Sequence, residues 1–127
     1  MSHKEEARRF WIEVFNHGNF APIDEMIADN YTFNGQAQTK QDLKQWVTGL
    51  RTEFPDIHFE INDLLGDGAQ VAVRWTLFCT DPKTKQELTN SGTNIVTFVE
   101  GKAVTNWQNG GTPQDMHPAT QQAGAAA

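Results

Sequence analysis

The chain has one cysteine, Cys79, which excludes an internal disulfide. No apolar run approaches the roughly 20 residues that a helix needs to cross a bilayer. Its opening, "MSHKEEARRF", lacks the apolar stretch of a signal peptide. Positive charge is scarce: 10 Lys and Arg stand against 16 Asp and Glu, for a net charge of -6. Such a surface has no basic footprint for phosphate backbones and is repelled by anionic lipid. Neither nucleic acid nor a membrane is an expected partner, and the cytoplasm is the default location. The four histidines, His3, His17, His58 and His117, show no metal-ligand spacing. No glycine-rich loop follows a strand to open a helix. No metal and no cofactor are expected.

What remains is 127 residues, 38% hydrophobic and 20% charged, a length and composition that suit one soluble domain able to bury a core without staples. That domain is read over residues 1–117. The tail, 118–127, has no periodicity and is expected to be disordered.

Residues 3–17 read as a helix, with Ala7, Phe10, Trp11, Val14 and Phe15 forming one stripe at three- and four-residue spacing. "APIDEMIA" gives a second, short helix with Pro22 in its first turn, and "YTFNG" a short strand. Residues 39–54 read as a third helix, capped by Thr39 with Asp42 three residues on and stopped at Pro55. The period then changes to two. "IHFEI", "VAVRWTLFC", "TNIVTFV" and "AVTNW" read as four antiparallel strands, with turns at Asp67-Gly68 and Glu100-Gly101. Helices grouped ahead of an antiparallel meander predict an α+β fold. Long helices across a twisted sheet enclose a concave site for a small apolar ligand.

"FPDIHFEINDLLGDGAQVAVRWT" and "EGKAVTNW" resemble the SnoaL-like polyketide cyclases of the nuclear transport factor 2-like, or ketosteroid isomerase-like, superfamily, over roughly residues 5–112. The resemblance implies a cone-shaped α+β barrel, three N-terminal helices on a strongly curved, mostly antiparallel sheet. It also implies an interior pocket and a homodimer. Function is less constrained, since the superfamily spans cyclases, isomerases, hydrolases and binders. In the cyclases an Asp near the end of the last strand is thought to move a proton during ring closure. Limonene epoxide hydrolases, in the same superfamily, use an Asp-Arg-Asp row with a Tyr and an Asn.

Residue by residue, the match is partial. Arg74 occupies the Arg position and Asn34 the Asn position, with Tyr31 one residue out of register. Thr76 and Asn109 stand where the two Asp residues belong. Asp115 follows two glycines and a proline and replaces neither. Epoxide hydrolysis by that mechanism is therefore not expected.

Asn109 is expected to polarise a substrate carbonyl, and Arg74 to bind an anionic group. The resemblance puts Arg74 inside the cone; its alternation with Val73 and Trp75 puts it outside. His58 is the remaining candidate base, although it alternates with Ile57 and Phe59. Tyr31, Asn34, Trp46, Thr76 and Trp107 are expected to contact the substrate. Asp56 beside Pro55 reads as a turn acceptor, and Cys79 as a small buried residue. Three functions stay open. The first is proton-transfer cyclisation or isomerisation, as isomerase or lyase, of an apolar, oxygen-bearing polyketide- or steroid-like molecule. The second is a non-catalytic binder that kept the pocket, and the third a structural association domain.

Overall fold

The side chain of Ser2 accepts a hydrogen bond from the Glu5 N–H and so opens the first helix, α1 (His3–Phe10). The computed structural model describes residues 2–119. Helix α1 runs on through wider, π-type turns over Trp11–Asn16, and Gly18 ends it with φ 69°, a conformation glycine adopts at little cost. Of the expected stripe, Ala7, Trp11, Val14 and Phe15 are buried in the core, and Phe10 is partly buried against it. Helix α2 (Ala21–Met26) has its proline in the first turn. Helix α3 (Lys40–Glu53) carries a full capping box, in which Thr39 and Asp42 satisfy each other's backbone N–H.

The strands are β1 (Ile27–Phe33), β2 (Gln36–Ala37), β3 (His58–Asp67), β4 (Gln70–Thr80), β5 (Glu87–Val99), β6 (Lys102–Gly110) and β7 (His117–Pro118). Among the described residues they form one seven-stranded sheet in the order β2-β1-β6-β5-β4-β3, with β7 on β5. All pairs are antiparallel except β1 with β6. The sheet is strongly curved and does not close; the three helices pack on it, as expected. Among the described residues no helix is long and apolar enough to cross a membrane. From residue 120 on, the tail expected over 118–127 lies outside the described residues. Pro118 itself pairs with Leu88.

Alternation assigns the faces of β4. Val71, Val73, Trp75, Leu77 and Cys79 are buried inward, while Arg74 and Phe78 face out. Strand β5 begins six residues earlier than "TNIVTFV" predicts. Within it Gly92 is a strand residue opposite Trp75. A Cβ there would lie 2.6 Å from the indole, so glycine makes room for the ring rather than a turn.

Two irregularities re-aim side chains. On β3 the pairing jumps between Ile61 and Asp63, leaving Asn62 unpaired. On β6, Thr97 pairs with Thr105 but Phe98 pairs with Ala103, so Val104 is an extra residue. One extra residue flips every later side chain to the other face.

The aromatic core follows from these faces. Phe15 packs on Phe59 with ring centroids 4.7 Å apart, and Phe59 on Trp75 at 5.0 Å. These rings fill much of the space between helix and sheet. The interior is therefore packed, and a small hollow remains beside α1.

Candidate active site

Inside the apolar cone, a row of polar side chains crosses four neighbouring strands, β4, β5, β6 and β1. Trp75 donates its indole N–H to Asn94 Oδ1 at 2.7 Å. Asn94 Nδ2 donates to Asn106 Oδ1 at 2.9 Å and to Gln108 Oε1 at 3.3 Å. Asn106 Nδ2 donates to the Tyr31 hydroxyl at 3.2 Å. Asn94 is 2% exposed and Tyr31 3%, so each missing partner would leave a costly buried polar atom.

Tyr31 accepts from Asn106, and among the described residues no acceptor takes its own O–H proton. Burial pushes the phenol up to about 12, against a smaller opposing effect of the Asn106 hydrogen bond. Tyr31 is therefore a neutral donor at ordinary pH. It lines a cavity of about 30 Å³ with Asn106, Glu6, Phe10, Trp11 and Met26. That is room for about one water molecule or the end of a ligand.

The residues predicted from sequence divide sharply. Tyr31 reaches this cavity. Asn34, at φ 50°, holds the edge of the sheet instead: its Oδ1 accepts from the Gln108 backbone N–H at 2.7 Å. It lines a separate open groove with Phe33, Gln36 and Asp42.

The others do not face the cavity. Arg74 is on the outer face, ion-paired with Asp63, so the alternation was the correct guide to its side. Thr76 lies on that face too and donates to Asn62 Oδ1 at 2.6 Å. His58 is exposed opposite Phe78. Trp107 and Asn109 are exposed on β6, because Val104 shifts the inward positions to Asn106 and Gln108. Trp46 is half exposed on α3, edge-on to Phe15 at 5.7 Å.

Asp56 serves as the turn acceptor expected of it. It takes the Thr80 N–H at 3.0 Å and the Thr80 hydroxyl at 2.6 Å, and these bonds hold its carboxyl below the usual range. Cys79 is buried, and burial, with Asp56, Asp81 and Glu53 nearby, pushes its thiol up to about 11.

Sequence reasoning missed Asn94, Asn106 and Glu6. Asn94 alternates with Val96 and Phe98, which was a usable signal for an inward position. Glu6 sits three residues after His3 and four before Phe10, on the edge of the α1 stripe. Asn106 was hidden by the bulge.

The small α+β cone matches what the comparisons find. The sequence profile of the SnoaL-like polyketide cyclases matches residues 5–111, and the chain belongs to that family. Among curated proteins, none matches the chain. Among solved structures, a candidate polyketide cyclase from Acidithiobacillus ferrooxidans is 27% identical, covers 100% of both chains and superposes with a TM-score of 0.76. A SnoaL-like polyketide cyclase from Agrobacterium tumefaciens is 18% identical over 97% of this chain and 99% of its own, TM-score 0.76. AclR, a candidate hydroxylase from Streptomyces galilaeus, is 19% identical over 98% and 86%, TM-score 0.73. The latter two share the fold.

Proposed function

We propose that the cone binds an apolar, oxygen-bearing small molecule of polyketide or steroid type and catalyses a proton-transfer cyclisation or isomerisation. The observation that carries this reading is Tyr31, which lines the cavity, is held by Asn106, and among the described residues gives its own O–H proton to no acceptor. A donor fixed in an apolar enclosure stabilises negative charge developing on a carbonyl oxygen far better than water does. Asn106, Asn94 and Trp75 position that donor through the buried row. Family membership supports the small-molecule substrate class.

The working unit is a homodimer built through the outer sheet face. Leu65 lies beside Ala72, Ala72 beside Ile95, and Ile95 beside Trp107. Leu65, Ile95 and Trp107 are each at least 42% exposed, an apolar stripe that a second copy would cover. The reaction takes place in the cytoplasm.

A second reading, a carrier that binds without turnover, is favoured by one observation: strand β6 carries no carboxylate. The two readings separate with cyclohex-3-enone, a single-ring ketone that isomerises to its conjugated form. Titration followed by tryptophan fluorescence reads binding, and ultraviolet absorbance reads conversion. Binding with conversion is expected, and Tyr31→Phe should slow conversion by about 100-fold. Saturable binding without conversion would leave the carrier, and absence of both would remove the small-molecule site.

A further inference from the structure

Oε2 of Glu6 is buried and, among the described residues, has no hydrogen-bond partner. Among the described residues Glu6 makes no ion pair, and the neighbouring Arg9 is committed to Glu13 and Glu25 at 2.8 and 2.6 Å. A buried carboxylate oxygen without a partner is costly, and native proteins keep few such atoms. Glu6 itself lines the cavity that Tyr31 and Asn106 line from the opposite, sheet side. Glu6 stands in the first turn of α1, where the helix dipole favours a negative charge. Glu6 and Tyr31 therefore line one hollow, the first bearing a carboxylate that can take a proton and the second a phenol that can donate a hydrogen bond.

We infer that Glu6 is the proton-transferring carboxylate of this cavity, standing on α1 where the last strand has none. The inference rests on the proposed proton-transfer reading. The substrate is a carbonyl compound with an acidic C–H beside its C=O. Its carbonyl end occupies the hollow, and half-buried Phe10 and pliable Met26 give way to the rest.

In the reaction, Glu6 Oε2 forms an O–H bond as the C–H bond next to the carbonyl breaks. The electron pair of that bond moves into a new C=C bond, and the carbonyl oxygen takes the negative charge and accepts the Tyr31 O–H. The protonated Glu6 then returns its proton. In an isomerisation of a β,γ-unsaturated ketone it goes to the γ carbon of the dienolate, as the electron pair of the old C=C bond forms the new C–H bond, the C=C moves into conjugation and the C=O re-forms. In a cyclisation it goes to the alkoxide formed when the enolate carbon attacks a second carbonyl of the same molecule.

The test follows cyclohex-3-enone with the full chain in D2O by proton NMR. Binding is read separately from tryptophan fluorescence, since Trp11 lines the cavity. Glu6→Gln, which keeps the shape but cannot take the proton, should slow conversion and deuterium incorporation by about 100-fold or more. Its Kd for the ketone should stay within about three-fold of wild type. Glu6→Asp, the check if the Gln variant fails to fold, should keep measurable deuterium incorporation.

Wild-type conversion with an equally fast Glu6→Gln enzyme would overturn the role of Glu6 and leave the proton-transfer reading intact. A Glu6→Gln variant whose rate falls only because binding falls would make Glu6 a binding group and overturn the inference. Wild-type binding with no conversion and no deuterium incorporation would overturn both.

Discussion

The indole N–H of Trp75 and the side-chain oxygen of Asn94 meet at 2.7 Å between neighbouring strands, with both residues buried. That bond fixes which end of the Asn94 amide points toward Asn106, and so the direction of the row that ends at Tyr31. Asn94→Leu leaves the Trp75 N–H and Asn106 Oδ1 without partners. Each orphaned buried group costs about 1–3 kcal/mol, and urea unfolding should record that loss. A Trp75→Phe, Asn94→Leu double variant should lose less than the two single variants together, because the residues share one bond.

Gly92→Ala tests the space around the same indole. The added Cβ would sit 2.6 Å from Trp75 Cζ2, and the ring is also confined by Gly111, where a Cβ would lie 2.3 Å from Cη2. Overpacking of this kind costs about 1–3 kcal/mol. The thermal midpoint should fall, and the near-ultraviolet circular dichroism of the tryptophans should change with it.

The chain has one tyrosine, so phenolate absorbance reports Tyr31 alone. Its folded value is raised from 10.0 to about 12, chiefly by burial. Above pH 10 the unfolded chain releases this proton while the folded chain keeps it. The contribution to stability is therefore full below pH 10 and lost as pH rises from 10 toward 12. Absorbance of the folded protein should titrate near 12, and Tyr31→Phe should remove this part of the alkaline loss of stability.

Cys79 should resist alkylation. Its thiol is buried and raised to about 11, and only the thiolate reacts. Iodoacetamide at pH 8 should modify the urea-unfolded chain far faster than the native one, by mass spectrometry. Equal rates would mean that β4 opens readily at Cys79.

Trp107 and Ile95 pair on the outer face, and the proposed dimer buries both. Light scattering should give twice the formula mass of 14.3 kDa for the wild type and the single mass for Trp107→Lys or Ile95→Lys. A wild-type mass of 14.3 kDa at every concentration would remove the dimer. Arg74→Ala, by contrast, should change stability by less than about 1 kcal/mol, as an exposed ion pair does.

Much of the architecture follows from local patterns. The stripe from Ala7 to Phe15, the Thr39–Asp42 box and the inward set Val71, Val73, Trp75 and Leu77 are each set by period and capping within a few residues. The Glu100-Gly101 turn is legible for the same reason, since both residues adopt positive φ, which Gly and its neighbour at a hairpin turn favour; the first hairpin turns one residue later than expected, at Gly68-Ala69, because Asp67 still pairs with Gln70. Arg74 illustrates the strength of such patterns, since simple alternation placed it on the outside against the family resemblance.

The site depended on longer-range geometry. Counting by two from Ala103 sends Thr105, Trp107 and Asn109 inward. The extra residue Val104, visible only through the pairing with Thr97 and Phe98, sends Asn106 and Gln108 inward instead. Whether Glu6 is a solvated helix residue or a cavity wall depended on where α1 lies against the sheet, which no local rule contains. The sequence by itself determined the helices, the strand faces up to the bulge and the family. Tertiary structure alone decided which polar atoms share the hollow, because bulge position and helix docking are properties of strand pairing and packing between distant segments.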